Sequence, residues 1–284
     1  MKKYLKLLRV KHYLKNALAL APLVFNQSLL NLPKLIPALL GFLAFCFLSS
    51  AVYIFNDICD LEKDRNHPTK RNRPIANGDI SVRSATGTAV ICLVLAILFQ
   101  LLTKAAAGFI WLALYLVLNI AYSKGLKDQP VIDIAILSSG FVLRVIYGAA
   151  ITGIEISGWL YLTIIAGSFY LGLGKRRNEI SKSGETGAET RAVLKHYTYQ
   201  FLDKNMYVFL ALTEAFYALW AIGMENKYML WTVPVVMLIF LKYSLDIEGD
   251  SDGDPVEVIT HDLPLIFLIL VYAAMTLGIL YFAK

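Results

Sequence analysis

Nine stretches of this chain come close to the roughly 20 consecutive apolar residues that a helix needs to cross a bilayer. No other feature restricts its fold as much. Hydrocarbon offers no water to backbone amides, so a spanning segment must satisfy them internally. The stretches lie at about 14–30, 35–56, 84–103, 105–123, 131–152, 157–174, 203–223, 228–245 and 263–282. The expected architecture is an all-α integral membrane protein with nine transmembrane helices, forming one polytopic domain over 1–284. The first and sixth stretches are short, which leaves eight as the alternative. At 57% hydrophobic and a mean hydropathy of +0.59, the chain lies well above the roughly 45–50% apolar content of soluble domains.

The net charge of +6 could suggest a nucleic-acid partner, but in a membrane protein the distribution of Lys and Arg matters more than their sum. With nine spans, the N-terminus and the loops at about 57–83, 124–130, 175–202 and 246–262 fall on one side. That side carries 22 of the 27 basic residues, the opposite side four, and Arg144 lies within a span. The positive-inside bias puts the N-terminus and the long loops in the cytoplasm and leaves no nucleic-acid reading. The N-terminal MKKYLKLLRVKHYLKN is basic and amphipathic with no small-residue cleavage site after it, so the chain is read as unprocessed. Cys46, Cys59 and Cys92 show no metal or redox spacing and read as small hydrophobes.

The densest charge follows the second apolar run at once. The fifteen residues 41–55, GFLAFCFLSSAVYIF, carry no charge; the nineteen after them, NDICDLEKDRNHPTKRNRP, hold four acidic and five basic residues. Asp57, Asp60 and Asp64 are spaced three and four apart, with Asn56 one turn below Asp60. If the second helix continues past Phe55, all four side chains share one face. Three clustered carboxylates raise one another's pKa unless a cation neutralises them. Oxygen-only donors suit Mg2+. Arg65, His67, Lys70, Arg71 and Arg73 follow, and guanidinium groups beside a metal suit a diphosphate ligand. His67 reads equally as a contact or as loop packing. The bland alternative for the whole segment is a solvated helix end.

NDICDLEKD fits the NDxxDxxxD signature of the UbiA superfamily of intramembrane prenyltransferases, and Arg73, Pro74 and Gly78 fit its continuation. The resemblance implies nine helices around a central cavity open to lipid, with Mg2+ and a diphosphate at Asp-rich loops. Most members carry a second Asp-rich motif after the sixth helix, where this sequence has GKRRNEI instead. Four stretches resemble the decaprenyl-phosphate phosphoribosyltransferase branch: RVKHYLKNALALAPLVF, DRNHPTKRNRPIANGDIS, YSKGLKDQPVIDIAILSSGFVLR, and GKRRNE with DGDPVEVITHDLPL. That branch transfers the 5-phosphoribosyl group of phosphoribosyl diphosphate to a polyprenyl phosphate, and the resemblance implies a role in making an arabinose donor for the cell envelope. The alternative is prenyl transfer to an aromatic or quinone precursor.

Such a reaction gathers several phosphates at one membrane face. Lys175 and Arg176 are expected to bind donor phosphate, with Glu179 orienting them at helical spacing, and Arg177 is read as a flank. Lys15 and Asn16, matching the branch's KN pair, and Lys127 are expected nearer the acceptor phosphate, while Lys2, Lys3 and Lys6 read as attractors of anionic lipid. Tyr122, Ser123, Lys124 and Lys127 form the fourth helix's cytoplasmic exit. Asp133 and Arg144, three helical turns apart on one face, are assigned to substrate or to a buried network. The acidic stretch 246–262 reads as a lid or structural loop, and Glu214 has no assigned role.

Overall fold

A computed structural model describes residues 2–67, 69–186, 192–248 and 253–283, without the side chains of 183–186. Pro68, part of the loop at 175–202 and residues 249–252 of the acidic stretch lie outside the described residues. The chain divides into two compact units, one of residues 1–136 with 143–154 and one of 137–142 with 155–284.

In the first unit, α1 (Lys2–Leu7) precedes a run of short turns. α2 (Leu32–Cys59) and α3 (Leu61–Arg65) follow, then α4 (Val82–Leu102), α5 (Ala107–Ser123) and α6 (Ile132–Thr152). In the second are α7 (Gly158–Thr186), α8 (Tyr199–Ile222), α9 (Thr232–Glu248), α10 (Pro255–His261) and α11 (Leu263–Tyr281). Side-chain oxygens start several of them: Ser81 accepts from the Ser84 amide, Thr198 from Phe201, and Asp262 from Leu265. Each satisfies an amide that the first turn leaves without a helical partner.

Eight of the nine expected spans are continuous helices of 17 or more residues among the described residues. Six of them are long and apolar enough to cross a bilayer, counting Lys227–Glu248 as one, and α5 is apolar but shorter. The stretch 14–30 differs from expectation. It forms the helical turn Tyr13–Asn16, the 3-10 turn Ala17–Leu20 and the short helix Ala21–Phe25. Pro22 has no amide hydrogen for the carbonyl four residues back and its ring crowds that carbonyl, and Gln27 at φ 53° turns the chain out of the helix. The broken segment packs tightly: a Cβ on Gly148 would stand 1.9 Å from the Ala19 carbonyl oxygen.

α2 is the spine of the first unit. Ala44, Phe45, Leu48 and Val52 bury against Ala96 of α4, Leu112 and Tyr115 of α5, and Leu143, Tyr147 and Ile151 of α6. In the second unit, the Tyr170 hydroxyl meets Ser244 at 2.7 Å and Tyr217 meets Thr232 at 2.6 Å. Large apolar side chains remain exposed along α4 (Ile91, Val94, Leu98, Leu101) and α11 (Leu263, Phe267, Leu270). Surfaces this apolar suit lipid rather than water.

Candidate functional site

The site begins where α2 breaks. Asp60 (φ −95°, ψ 7°) ends the helix and its amide bonds back to the Asn56 carbonyl at 2.9 Å, after which α3 restarts at Leu61. The carboxylates therefore follow a kinked path instead of one straight stripe. Asp57 Oδ1 accepts from Arg9 Nη2 at 2.6 Å and from Arg73 Nη1 at 2.9 Å. Arg73 Nη1 also reaches Asp64 Oδ2 at 2.6 Å. Asp60 Oδ1 pairs with Lys127 Nζ, and the Ser123 hydroxyl donates to Asn56 Oδ1 at 3.1 Å.

Local packing puts the two arginines there. His67 Nδ1 accepts from the amides of Thr69 and Lys70, both at 3.3 Å, folding the 3-10 turn Lys70–Asn72 that delivers Arg73 in extended conformation. Ile75 and Ile80, just beyond, bury with Leu7, Ile54 and Ala85. From the other side α1 docks on the same loop. Lys6 donates to the Asn72 carbonyl at 2.6 Å, Lys3 to the Asp79 carbonyl at 3.1 Å, and Tyr4 meets Ser84 at 3.0 Å. Lys3 and Lys6, expected to attract lipid headgroups, thus engage protein carbonyls. Arg9 then takes a left-handed backbone (φ 52°, ψ 47°), which costs a non-glycine residue about 1 kcal/mol. Its guanidinium lies 4.9 Å over the Tyr53 ring.

Charge decides what this arrangement can do. Asp57 is 3% exposed and Asp64 4%, and buried carboxylates persist as anions only when paired. Asp57, Asp60 and Asp64 are balanced by Arg9, Arg73 and Lys127, three charges of each sign. Among the described residues no three His, Cys, Asp or Glu side chains already converge as a metal cage. The donor set nonetheless fits a hard divalent cation. The ion pairs engage Asp57 Oδ1, Asp60 Oδ1 and Asp64 Oδ2, and carboxylate oxygens are the donors that such a cation takes.

The remaining expected residues fall into three settings. Arg65 is half-exposed and pairs with Glu62 at 2.9 Å, apart from the central network. Lys15, His67, Lys70 and Tyr122 are half-buried, while Lys127 is buried. Asn16 and Arg144 meet each other: Arg144 Nε donates to Asn16 Oδ1 at 2.7 Å, and Asn16 Nδ2 donates to Ser49 Oγ at 3.1 Å. The Arg144 guanidinium lies 4.9 Å over Phe45 and 5.1 Å over Tyr115, so the pair is built into the core. Asp133, 0% exposed, sits in the first turn of α6.

The second unit has its own basic cluster at the end of α7. Arg176 is 0% exposed and pairs with Glu179 at 2.6 Å, the orientation expected from their spacing. Lys175 Nζ lies 3.8 Å from Asp254 Oδ2. Arg177, expected as a flank, is an internal tie: it donates to Tyr199 at 2.6 Å and Glu248 at 2.8 Å, and pairs with Asp203 at 2.8 Å. Gly253, at φ +74°, lets the acidic stretch lie against the Lys175 backbone, where a Cβ would stand 3.2 Å from Lys175 Cα. Asp254 caps α10 and Asp262 caps α11. The Asp262 carboxyl is held below the usual carboxylate range, first by the hydrogen bond from Lys242 and then by the Leu265 amide.

Two participants have no assigned role in the sequence alone. Ser123 was seen only as part of a helix exit. Arg9 lies in RVKHYLKN, but only the KN pair of that stretch was assigned a role; the available signal was Tyr53 one turn before Asp57, an aromatic face ready for a cation.

Apolar helices long enough to cross a bilayer define a multi-pass membrane protein, here with a carboxylate–guanidinium cluster at a helix end. The profile of the UbiA prenyltransferase family matches residues 19–261, and the chain belongs to that family. A decaprenyl-phosphate phosphoribosyltransferase of Corynebacterium glutamicum is 37% identical, over 94% of this chain and 83% of the relative. One of Mycolicibacterium smegmatis is 32% identical over 98% and 92%. The fold is shared with a UbiA homolog from Archaeoglobus fulgidus solved with GPP and Mg2+, at a TM-score of 0.74, 22% identity, and coverage of 98% of this chain and 99% of that one.

Proposed function

We propose that this protein transfers the 5-phosphoribosyl group of phosphoribosyl diphosphate to a polyprenyl phosphate, giving polyprenylphosphoryl-5-phosphoribose and diphosphate. The observation that carries the reading is the charge-balanced cluster of Asp57, Asp60 and Asp64 with Arg9, Arg73 and Lys127, in a chain similar along nearly its whole length to phosphoribosyltransferases. Asp57, Asp60 and Asp64, with Asn56 as a further oxygen donor, would hold Mg2+, which would supply charge neutralisation for the departing diphosphate. Ser123, donating to Asn56 Oδ1, keeps that amide oxygen oriented. Arg73 binds diphosphate oxygens, and Lys127, beside Asp60, lies nearer the acceptor phosphate. Lys175 and Arg176 are further phosphate ligands.

The bond from the ribose anomeric carbon to diphosphate breaks with its electron pair leaving on the diphosphate oxygen. A lipid phosphate oxygen forms the new bond from the opposite face. That oxygen is already ionised at neutral pH, so the step requires no general base. The long, basic loops face the cytoplasm of a cell membrane, where the soluble donor is available.

The competing reading, prenyl transfer from a prenyl diphosphate, is suggested by the solved neighbour's GPP. Purified protein offered both donors separates them. With radiolabelled phosphoribosyl diphosphate and polyprenyl phosphate, label is expected in the lipid phase. Geranyl diphosphate with an aromatic acid is expected to give no product, and the reverse pattern overturns the assignment.

A further inference from the structure

We propose that Arg9 is a ligand of the diphosphate, held on Asp57 in the ligand-free protein and transferred to phosphate when Asp57 turns to the metal. The proposal deepens the function above and rests on it for the identity of the donor.

Three observations carry it. Arg9 and Arg73 bond the same oxygen of Asp57, so one carboxylate is shared by two guanidinium groups. Arg73 keeps a second carboxylate, Asp64, at 2.6 Å, whereas the ion pair that Arg9 makes is with Asp57. Arg9 is also mounted with care for so short a segment. Leu7 is fully buried, Lys3 and Lys6 tie α1 to the Arg73 loop, the backbone turns left-handed at Arg9 itself, and Tyr53 supports the guanidinium face. An arginine serving only to attract lipid headgroups requires none of this.

The charge count supplies the exchange. Three carboxylates and three cations sum to zero; a divalent cation on the carboxylates leaves a net charge of two positive. Such a charge would attract the Asp57 carboxylate and disfavour Arg9 at its present place. Released beside the metal, the planar guanidinium can take two oxygens of one phosphate through parallel hydrogen bonds. Arg9 would thus be freed for an anion once the carboxylates held a divalent cation, and diphosphate would follow it.

The test uses the full chain in nanodiscs and two calorimetric titrations, Mg2+ alone and then inorganic pyrophosphate at saturating Mg2+. Arg9→Ala is expected to weaken pyrophosphate binding by about tenfold or more, while Mg2+ alone binds as tightly as to the native protein or more tightly. Arg9→Lys, which keeps the charge without the fork, is expected to fall between, and it decides the matter if Arg9→Ala does not fold. Pyrophosphate affinity within about twofold of native, or loss of Mg2+ and pyrophosphate affinity in step, overturns the proposal. Arg9-dependent binding of pyrophosphate by a native protein that forms no phosphoribosyl lipid would refute the donor and leave the role of Arg9 standing.

Discussion

Among single residues, legibility followed local spacing. Asp57, Asp60 and Asp64 could be found because a carboxylate cluster written into one short segment leaves its spacing in the sequence. The pairing of Arg9 with Asp57 and of Lys127 with Asp60 could not, because these partners are 48 and 67 residues away and arrive by tertiary packing. Asn16 and Arg144 show the reverse: both stood out as polar residues at or in a span, yet each engages the other in the core. Asp60→Asn keeps the shape of the side chain and removes the charge proposed to hold Mg2+, so it is expected to abolish turnover while the melting temperature stays within a few degrees of native. Arg144→Met strips Asn16 of its buried donor and is expected to destabilise by roughly 2 kcal/mol, read as a lower melting temperature. Donor KM in that variant is expected to change by less than about twofold, the Arg144 contacts to Asn16, Phe45 and Tyr115 being with the core.

Helices were legible where apolar length alone dictates them, and less so where a particular contact decides continuity. The run 14–30 has the composition of a span, but Pro22 interrupts it, and the resulting turns bring the Ala19 carbonyl onto Gly148. Gly148→Ala forces a methyl into backbone that has nowhere to move, with an expected cost of about 1–3 kcal/mol. Gly167→Ala, whose nearest neighbour would be a Thr213 methyl at 3.4 Å, is the control and should melt close to native. Likewise the end of α2 was legible as a carboxylate face but not as a kink, because the restart at Leu61 depends on Asp60 leaving helical geometry.

The start of α11 carries a pH signature. The Asp262 carboxyl is depressed in the folded state, so its ion pair with Lys242 contributes above the ordinary carboxylate range and is lost as pH falls through the lower, folded value. Asp262→Asn can retain the helix cap and lose the pair. It should therefore be less stable than native at neutral pH and equal to it once the native carboxylate is protonated, as read by thermal melts across an acid series.

For the whole molecule, hydropathy was sufficient to read a multi-pass helical protein. The two compact units left no mark in composition, since both are built of similar apolar helices. The substrate class was legible only through resemblance: GKRRNE supplies cations where most of the family has carboxylates, and burial of Arg176 and Arg177 gives those cations different tasks. The central claim is that the cluster at the end of α2 activates a diphosphate leaving group for transfer to a lipid phosphate. Its most direct test is turnover by the purified protein in nanodiscs, counting diphosphate released against phosphoribosyl lipid formed, for the native chain and for Asp60→Asn. The account predicts one diphosphate per lipid product, dependence on Mg2+, and silence from Asp60→Asn; absence of phosphoribosyl lipid from the native protein, or equal product from Asp60→Asn, would contradict it.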